Sequence, residues 1–324
     1  MMVRAVVFLS FIFFNTLMAE DMVETYRLHG MDGLEQKLDQ ELTRPSYWQK
    51  ALKRHDIKYG YFDRLTELLV CDKSKKELSL FAANGHFVLK QRAPIIIGKT
   101  QGDKRKEGDF KTPIGIYHIL EKKTRLEKKY GPLAFVTDYP NRFDRIWGKD
   151  GHGIWLHGLP QDCSDKNSTK GCIAINNSAL MTLDKKLSAI ENALLVISPA
   201  PLPPVSKERL SKLLAFIYDW RYAWKYNDYQ DYISKYSPDL VFQSKHDYHY
   251  FLRYKKQVFS NNAHRKKTLR FTDLKLVPYP NSTGKRLWYL SFLEYYKSGG
   301  YRFSGKKQIL IEETPSGQFL IVVE

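Results

Sequence analysis

Leu156-His157-Gly158, followed by Ser168-Thr169-Lys170-Gly171-Cys172-Ile173-Ala174-Ile175-Asn176-Asn177, is the stretch around which the rest of the chain is read. Cys172 follows His157 by fifteen positions. A thiol becomes a nucleophile when a base lies within hydrogen-bond reach and a third group orients that base. His157 can be the base, and the glycines at 158 and 171 let backbone come close to a substrate. The bland alternatives are a core histidine and a buried structural thiol. Neither needs a His-Gly upstream of a Gly-Cys, so Cys172 is read as the nucleophile and His157 as its base.

Working outward, residues 67–198 have the texture of short strands and turns. Apolar runs at 68–72, 77–81, 87–89, 93–97, 110–119, 146–147, 153–157, 173–175 and 194–197 read as strands. Ala83-Asn84-Gly85-His86 is a hairpin turn. Asn177 or Ser178 caps a helix running to about residue 191. On a strand ending at His157, His152 falls on the opposite face, in a supporting or substrate-facing place.

Before this domain, residues 20–66 read as a short helical segment, with Leu34, Leu38 and Leu42 in one stripe and Pro45 interrupting it. The segment is too short for a core of its own, which predicts packing on the same chain or a homodimer built through residues 22–58. After the domain, residues 199–206 form a stiff proline linker. Residues 207–324 are aromatic-rich. Helical spacing over 207–236 and 246–258 precedes four alternating strands, the order of an α+β domain.

The totals bound the function. The formal net charge of +17 suits an anionic partner or surface as well as solvated lysine faces. Residues 1–19 read as a signal peptide, with Arg4 as its positive end, an apolar run over 5–14 and Ala19 at the cut. Export places the protein in the periplasm and argues against nucleic acid as the partner. No later run is apolar enough to predict stable membrane insertion after cleavage. The three cysteines, Cys71, Cys163 and Cys172, are no disulfide scaffold, and a Cys163–Cys172 bridge would disable the nucleophile. A zinc site from His152, His157 and Cys172 lacks a further ligand at suitable spacing, so no metal and no cofactor is expected.

Thr112-Pro113-Ile114-Gly115-Ile116-Tyr117, then Leu156-His157-Gly158, then Ser168-Thr169-Lys170-Gly171-Cys172-Ile173 together resemble the L,D-transpeptidase (YkuD) family. The resemblance covers about residues 67–198. It implies that Cys172 attacks the carbonyl of the L-centre of the third stem-peptide residue and that His157 moves the proton. It also implies that the Gly158 carbonyl orients the imidazole, and that the N–H groups of Gly171 and Cys172 form an oxyanion hole. Thr169, Lys170, His152 and Ala174 are the expected substrate-binding positions. Two of these depart from the family pattern. Lys170 stands where a His is usual, and Ala174 where an Arg is usual. Lys170 could lower the thiol pKa or hold a substrate carboxylate, while Ala174 removes a bidentate donor.

The tail resembles the NTF2-like fold, which implies a cone with a pocket. The whole plan is similar to the L,D-carboxypeptidases that set helical cell shape in Campylobacter and Helicobacter. The expected fold class is therefore mixed: a mostly-β YkuD-like catalytic domain, a short helical N-terminal segment and an α+β NTF2-like C-terminal domain. The expected function is trimming of a peptidoglycan stem tetrapeptide to a tripeptide with release of D-alanine. Two alternatives stand beside it: an L,D-transpeptidase forming cross-links, and a non-catalytic wall-binding scaffold.

Overall fold

The structure is a computed structural model that describes residues 3–160, 167–243 and 247–324, with side chains from residue 20 onward. Cys163 and the side chains of the expected signal peptide lie outside the described residues.

Two helices come first, α1 (Val3–Leu42) and α2 (Pro45–Ala51). α1 breaks at Gly30, whose φ of 63° is not helical. The chain turns back there, because Lys37 Nζ reaches Thr25 Oγ1 at 3.0 Å. A straight helix would hold residues twelve apart at about 18 Å. Among the described residues no helix is long and apolar enough to cross a membrane. A short strand β1 (Tyr61–Phe62) follows.

The middle of the chain forms β2 (Thr66–Asp72), β3 (Glu77–Ala83), β4 (Phe87–Ile96), β5 (Gly115–Thr124), β6 (Leu133–Thr137), α3 (Arg142–Ile146), β7 (Trp155–His157), β8 (Ile173–Ile175), α4 (Asn177–Lys186) and β9 (Ala193–Ser198). The eight strands close into a barrel in the order β2-β3-β4-β8-β7-β6-β5-β9. Most neighbours are antiparallel, but β7 and β8 run parallel, as do β2 and β9. The strand expected at Ile146-Trp147 is instead the end of α3. Asn141 caps that helix, accepting from the Asp144 N–H while the Asp144 carboxylate accepts from the Asn141 N–H.

The C-terminal part forms α5 (Lys207–Lys225), α6 (Tyr229–Ser234), β10 (Tyr236–Val241), α7 (Tyr248–Asn261), β11 (Lys267–Tyr279), β12 (Arg286–Ser298), β13 (Tyr301–Glu313) and β14 (Phe319–Val323). The single helix expected over 207–236 is two, interrupted where Asn227 takes a φ of 66°. The sheet order is β1-β11-β12-β13-β14-β10. Trp220, Tyr232, Phe251 and Phe292 are fully buried under it, so much of the aromatic excess in the tail is core. At one side of this core lies a cavity of about 790 Å³, lined among others by Trp224, Phe242, Tyr254, Lys255, Tyr296 and Glu324.

Why β2 and β9 read as continuous apolar runs is clear from their two faces. Leu69, Cys71, Leu195 and Ile197 point into the barrel, while Leu68, Val70, Leu194 and Val196 point outward. The outward set packs on Val277, Tyr279, Leu287, Tyr289 and Leu310 of the C-terminal sheet. A strand buried on both sides has no polar face to show.

The N-terminal segment is built into the C-terminal domain. Trp48, Leu52 and Ile57 share one core with Leu210, Leu213, Leu214 and Ile217 of α5. β1 adds an antiparallel edge to β11, pairing Tyr61 with Leu276. Residues 45–58 thus obtain their core from their own chain, one of the two outcomes expected for a segment too short to have its own. Along α1 Leu38 stays 41% exposed, and a homodimer through residues 22–58 is left as a proposal. Deeper along α1, Asp39 is buried and its carboxylate accepts from Arg221, from Lys225 Nζ at 2.6 Å and from Tyr226 Oη at 2.9 Å.

Candidate active site

The site is assembled where β7 ends and β8 begins. In the parallel register Leu156 lies opposite Ile173 and His157 opposite Ala174. Leu156 and Ile173 are in the barrel core. Strand alternation therefore puts His157, and Cys172 just before β8, on the other face together. His157 is 3% exposed, and Cys172 is half-buried at the surface.

Each partner is held by backbone. The His157 ring Nδ1 lies 2.6 Å from the Gly158 carbonyl oxygen, which orients the imidazole when Nδ1 carries the proton. Tyr130 packs edge-on against the imidazole, with centroids 5.2 Å apart, and its carbonyl accepts from the Gly158 N–H at 2.9 Å. The Cys172 thiol donates to the Gly153 carbonyl at 3.2 Å.

Gly158 is glycine for a steric reason. A Cβ there would sit 2.2 Å from Asn177 Oδ1 and 2.9 Å from Pro132 Cδ. Asn177 reaches back from the start of α4, accepting from the Leu159 N–H at 2.8 Å and donating to the Leu159 carbonyl at 2.9 Å. The cap of α4 is Asn176, whose side chain accepts from the Ser178 N–H, which leaves Asn177 for this tether. Gly158→Ala is expected to push the carbonyl off Nδ1 and lower turnover about 10- to 100-fold, since a misplacement near 1 Å costs that much. Steady-state rates on a stem-peptide substrate, with the melting temperature as control, check it; an unchanged rate would mean that the carbonyl does not matter.

The expected roles are redistributed around the cysteine. The Gly171 N–H donates to Thr169 Oγ1 at 3.0 Å, so it is engaged inside the turn and does not point to an oxyanion. Gly171 contributes shape instead: its φ is +134°, and a Cβ would lie 2.8 Å from the Lys111 carbonyl. Thr169 is buried and donates to the Cys172 carbonyl at 2.6 Å, which makes it a brace of the turn rather than a substrate contact. Ala174 is fully buried on β8, so its methyl is closed to a substrate. Lys170 is exposed at the turn. His152 lies outside any strand, with its side chain 79% exposed and its Nδ1 3.6 Å from Glu107. The strand is too short to place His152 opposite His157.

Thr112 shows why the Thr-Pro-Ile-Gly element stands by the site. It is fully buried, accepts from the Gly98 N–H at 2.9 Å and donates to the Gly171 carbonyl at 2.9 Å. The sequence pattern does not reveal Tyr130, Asn177 or the Gly153 carbonyl as parts of the site. The one available signal is Asn177, a second asparagine after Asn176 where a single cap suffices. Cys71 is a buried thiol in no disulfide, pushed up to about 12 by burial, and is inert as a nucleophile.

Residues 66–188 match the model of the L,D-transpeptidase catalytic domain (YkuD), and residues 212–324 match that of the Cds6 C-terminal NTF2-like domain. The chain belongs to the L,D-transpeptidase (YkuD) family, in a form that carries an NTF2-like domain after the catalytic barrel. Its architecture is that of the helical cell shape determining protein Pgp2 from Campylobacter jejuni, at 31% identity and a TM-score of 0.78 over 86% of this chain and 98% of that one. A K307A mutant of the same protein superposes with a TM-score of 0.81 over 88% of this chain and 98% of that one, at 29% identity. Bd1075 of Bdellovibrio bacteriovorus shares the fold, with a TM-score of 0.66 at 24% identity over 82% of this chain and 94% of that one. A stretch of 79 residues is 32% identical to Escherichia coli YafK, named for the L,D-transpeptidases; it covers 24% of this chain and 29% of YafK.

Proposed function

We propose that this protein is a periplasmic cysteine L,D-carboxypeptidase that trims peptidoglycan stem tetrapeptides to tripeptides. The observation that carries this reading is the His157 imidazole, backed at 2.6 Å by the Gly158 carbonyl and set on a strand beside the one that Cys172 opens. His157 takes the thiol proton, and the Cys172 sulfur attacks the carbonyl between the third residue and the terminal D-alanine. The tetrahedral adduct collapses as His157 returns the proton to the leaving amine. Water, deprotonated by the same imidazole, then releases the tripeptide from the thioester and regenerates the thiol.

The choice of water over a second stem peptide as acceptor rests on likeness along nearly the whole chain to a protein named for helical cell shape. It rests also on the two departures, Lys170 and Ala174. Periplasmic placement rests on the signal-peptide reading of residues 1–19. Incubating the full chain with a tetrapeptide muropeptide is expected to yield tripeptide and free D-alanine. Dimeric muropeptides without tripeptide would overturn the reading in favour of transpeptidation.

A further inference from the structure

Lys73 is buried at 5% exposure in the turn between β2 and β3. Among the described residues no carboxylate lies within salt-bridge distance of it; the charge of Asp103 favours the ammonium, and the charges of Lys149 and Lys111 oppose it. Burial pushes its ammonium down to about 8. Burying a charge without a counter-ion is costly, and a methionine would fill similar space without that penalty.

What the ammonium adds is a clamp. Lys73 Nζ donates to the Gly102 carbonyl at 2.5 Å and to the Thr112 carbonyl at 2.5 Å. These two carbonyls are ten residues apart, at the neck of the charged loop. The Lys73 N–H is itself tied to the Ser198 carbonyl at the end of β9, so the clamp stands on the barrel wall. Thr112, fixed through its carbonyl, turns its hydroxyl to the Gly171 carbonyl, the peptide directly before Cys172.

We infer that Lys73 is a positioning residue that acts through Thr112 to hold the Gly171–Cys172 turn in the geometry that activates the thiol. The inference rests on the reading of Cys172 as nucleophile but not on the identity of the substrate. A three-donor ammonium suits the task, because it satisfies two carbonyls at one point where an apolar side chain would leave both unpaired.

The test uses the full chain and the rate of Cys172 alkylation by iodoacetamide over a pH series. Labelled peptides are resolved by mass spectrometry, so that Cys163 is not counted. The variants are Lys73→Met, Thr112→Val, their double mutant, and Thr112→Ser, which keeps the hydroxyl. The melting temperature of each variant serves as the control for unfolding, because Cys71, though buried, feels the charge of Lys73 two residues away. Each of the first two variants is expected to slow Cys172 alkylation at neutral pH roughly three- to tenfold, as for loss of a buried hydrogen bond, and to move the pH midpoint up. The double mutant is expected to be no slower than the slower single one, as for residues acting in series, and Thr112→Ser is expected to stay near the parent rate. Unchanged Cys172 rates in Lys73→Met, or effects that multiply in the double mutant, would overturn the inference. Alkylation needs no muropeptide, so a protein that shows this coupling yet releases no D-alanine would keep the relay and overturn the carboxypeptidase reading.

Discussion

Replacing Cys172 with alanine is expected to lower D-alanine release from a tetrapeptide muropeptide by about 10⁴-fold or more, the scale seen when the nucleophile of a nucleophile–base unit is removed. The physical basis is that no other described group can form the thioester. Cys71 is fully buried with its thiol held neutral, and Lys170, exposed at the turn, would have to reach the carbonyl without the neighbouring imidazole. The melting temperature is expected to change little, because the Cys172 side chain is only half-buried and a thiol is a weak donor to the Gly153 carbonyl. Residual turnover within tenfold of the parent would mean that another residue does the chemistry. In cells, a Cys172→Ala strain with unchanged wall composition and shape would favour the non-catalytic scaffold.

The largest effect on stability is expected at Asp39. This carboxylate is 6% exposed and faces two cations, Arg221 and Lys225, which are 6% and 7% exposed. Asp39→Ala leaves both in a site with little water. Removing one partner of a buried pair costs about 3–5 kcal/mol, because the remaining charge is uncompensated. Lys225 retains Glu35 at 2.6 Å and Arg221 retains the Leu269 carbonyl at 2.9 Å, which argues for the lower end, about 3 kcal/mol. Urea unfolding of the full chain measures it. A loss under about 0.5 kcal/mol, the scatter of surface substitutions, would show that the N-terminal segment is not an integral part of the C-terminal core. The companion Lys225→Met is expected to cost less, since it leaves Asp39 with Arg221 and Tyr226.

The same contact explains what can be read without coordinates. Leu34, Leu38 and Leu42 predict a helix with an apolar stripe, but Leu38 is 41% exposed in the structure, so the stripe is not what holds the helix. Its anchor is an aspartate whose partners lie more than 180 residues away. His157 and Cys172 are legible because nucleophile and base are residue types with chemistry of their own, each placed beside a glycine at a fixed spacing. At Ile146-Trp147 apolar content alone suggests a strand. The Asn141–Asp144 capping box outweighs it, because its reciprocal hydrogen bonds begin a helix there.

The amino-acid sequence by itself determined the chemistry on offer: a thiol, an imidazole, a proline boundary, and a run of short apolar strands between turns. These follow from local pattern and side-chain chemistry. Only the tertiary structure decided how backbone groups around the thiol are used. Thr169 takes the Gly171 N–H, Thr112 takes its carbonyl, and Lys73 holds Thr112 in turn. Such hydrogen bonds join residues up to about sixty positions apart and depend on ångström-scale closure of the barrel, which no sequence spacing encodes.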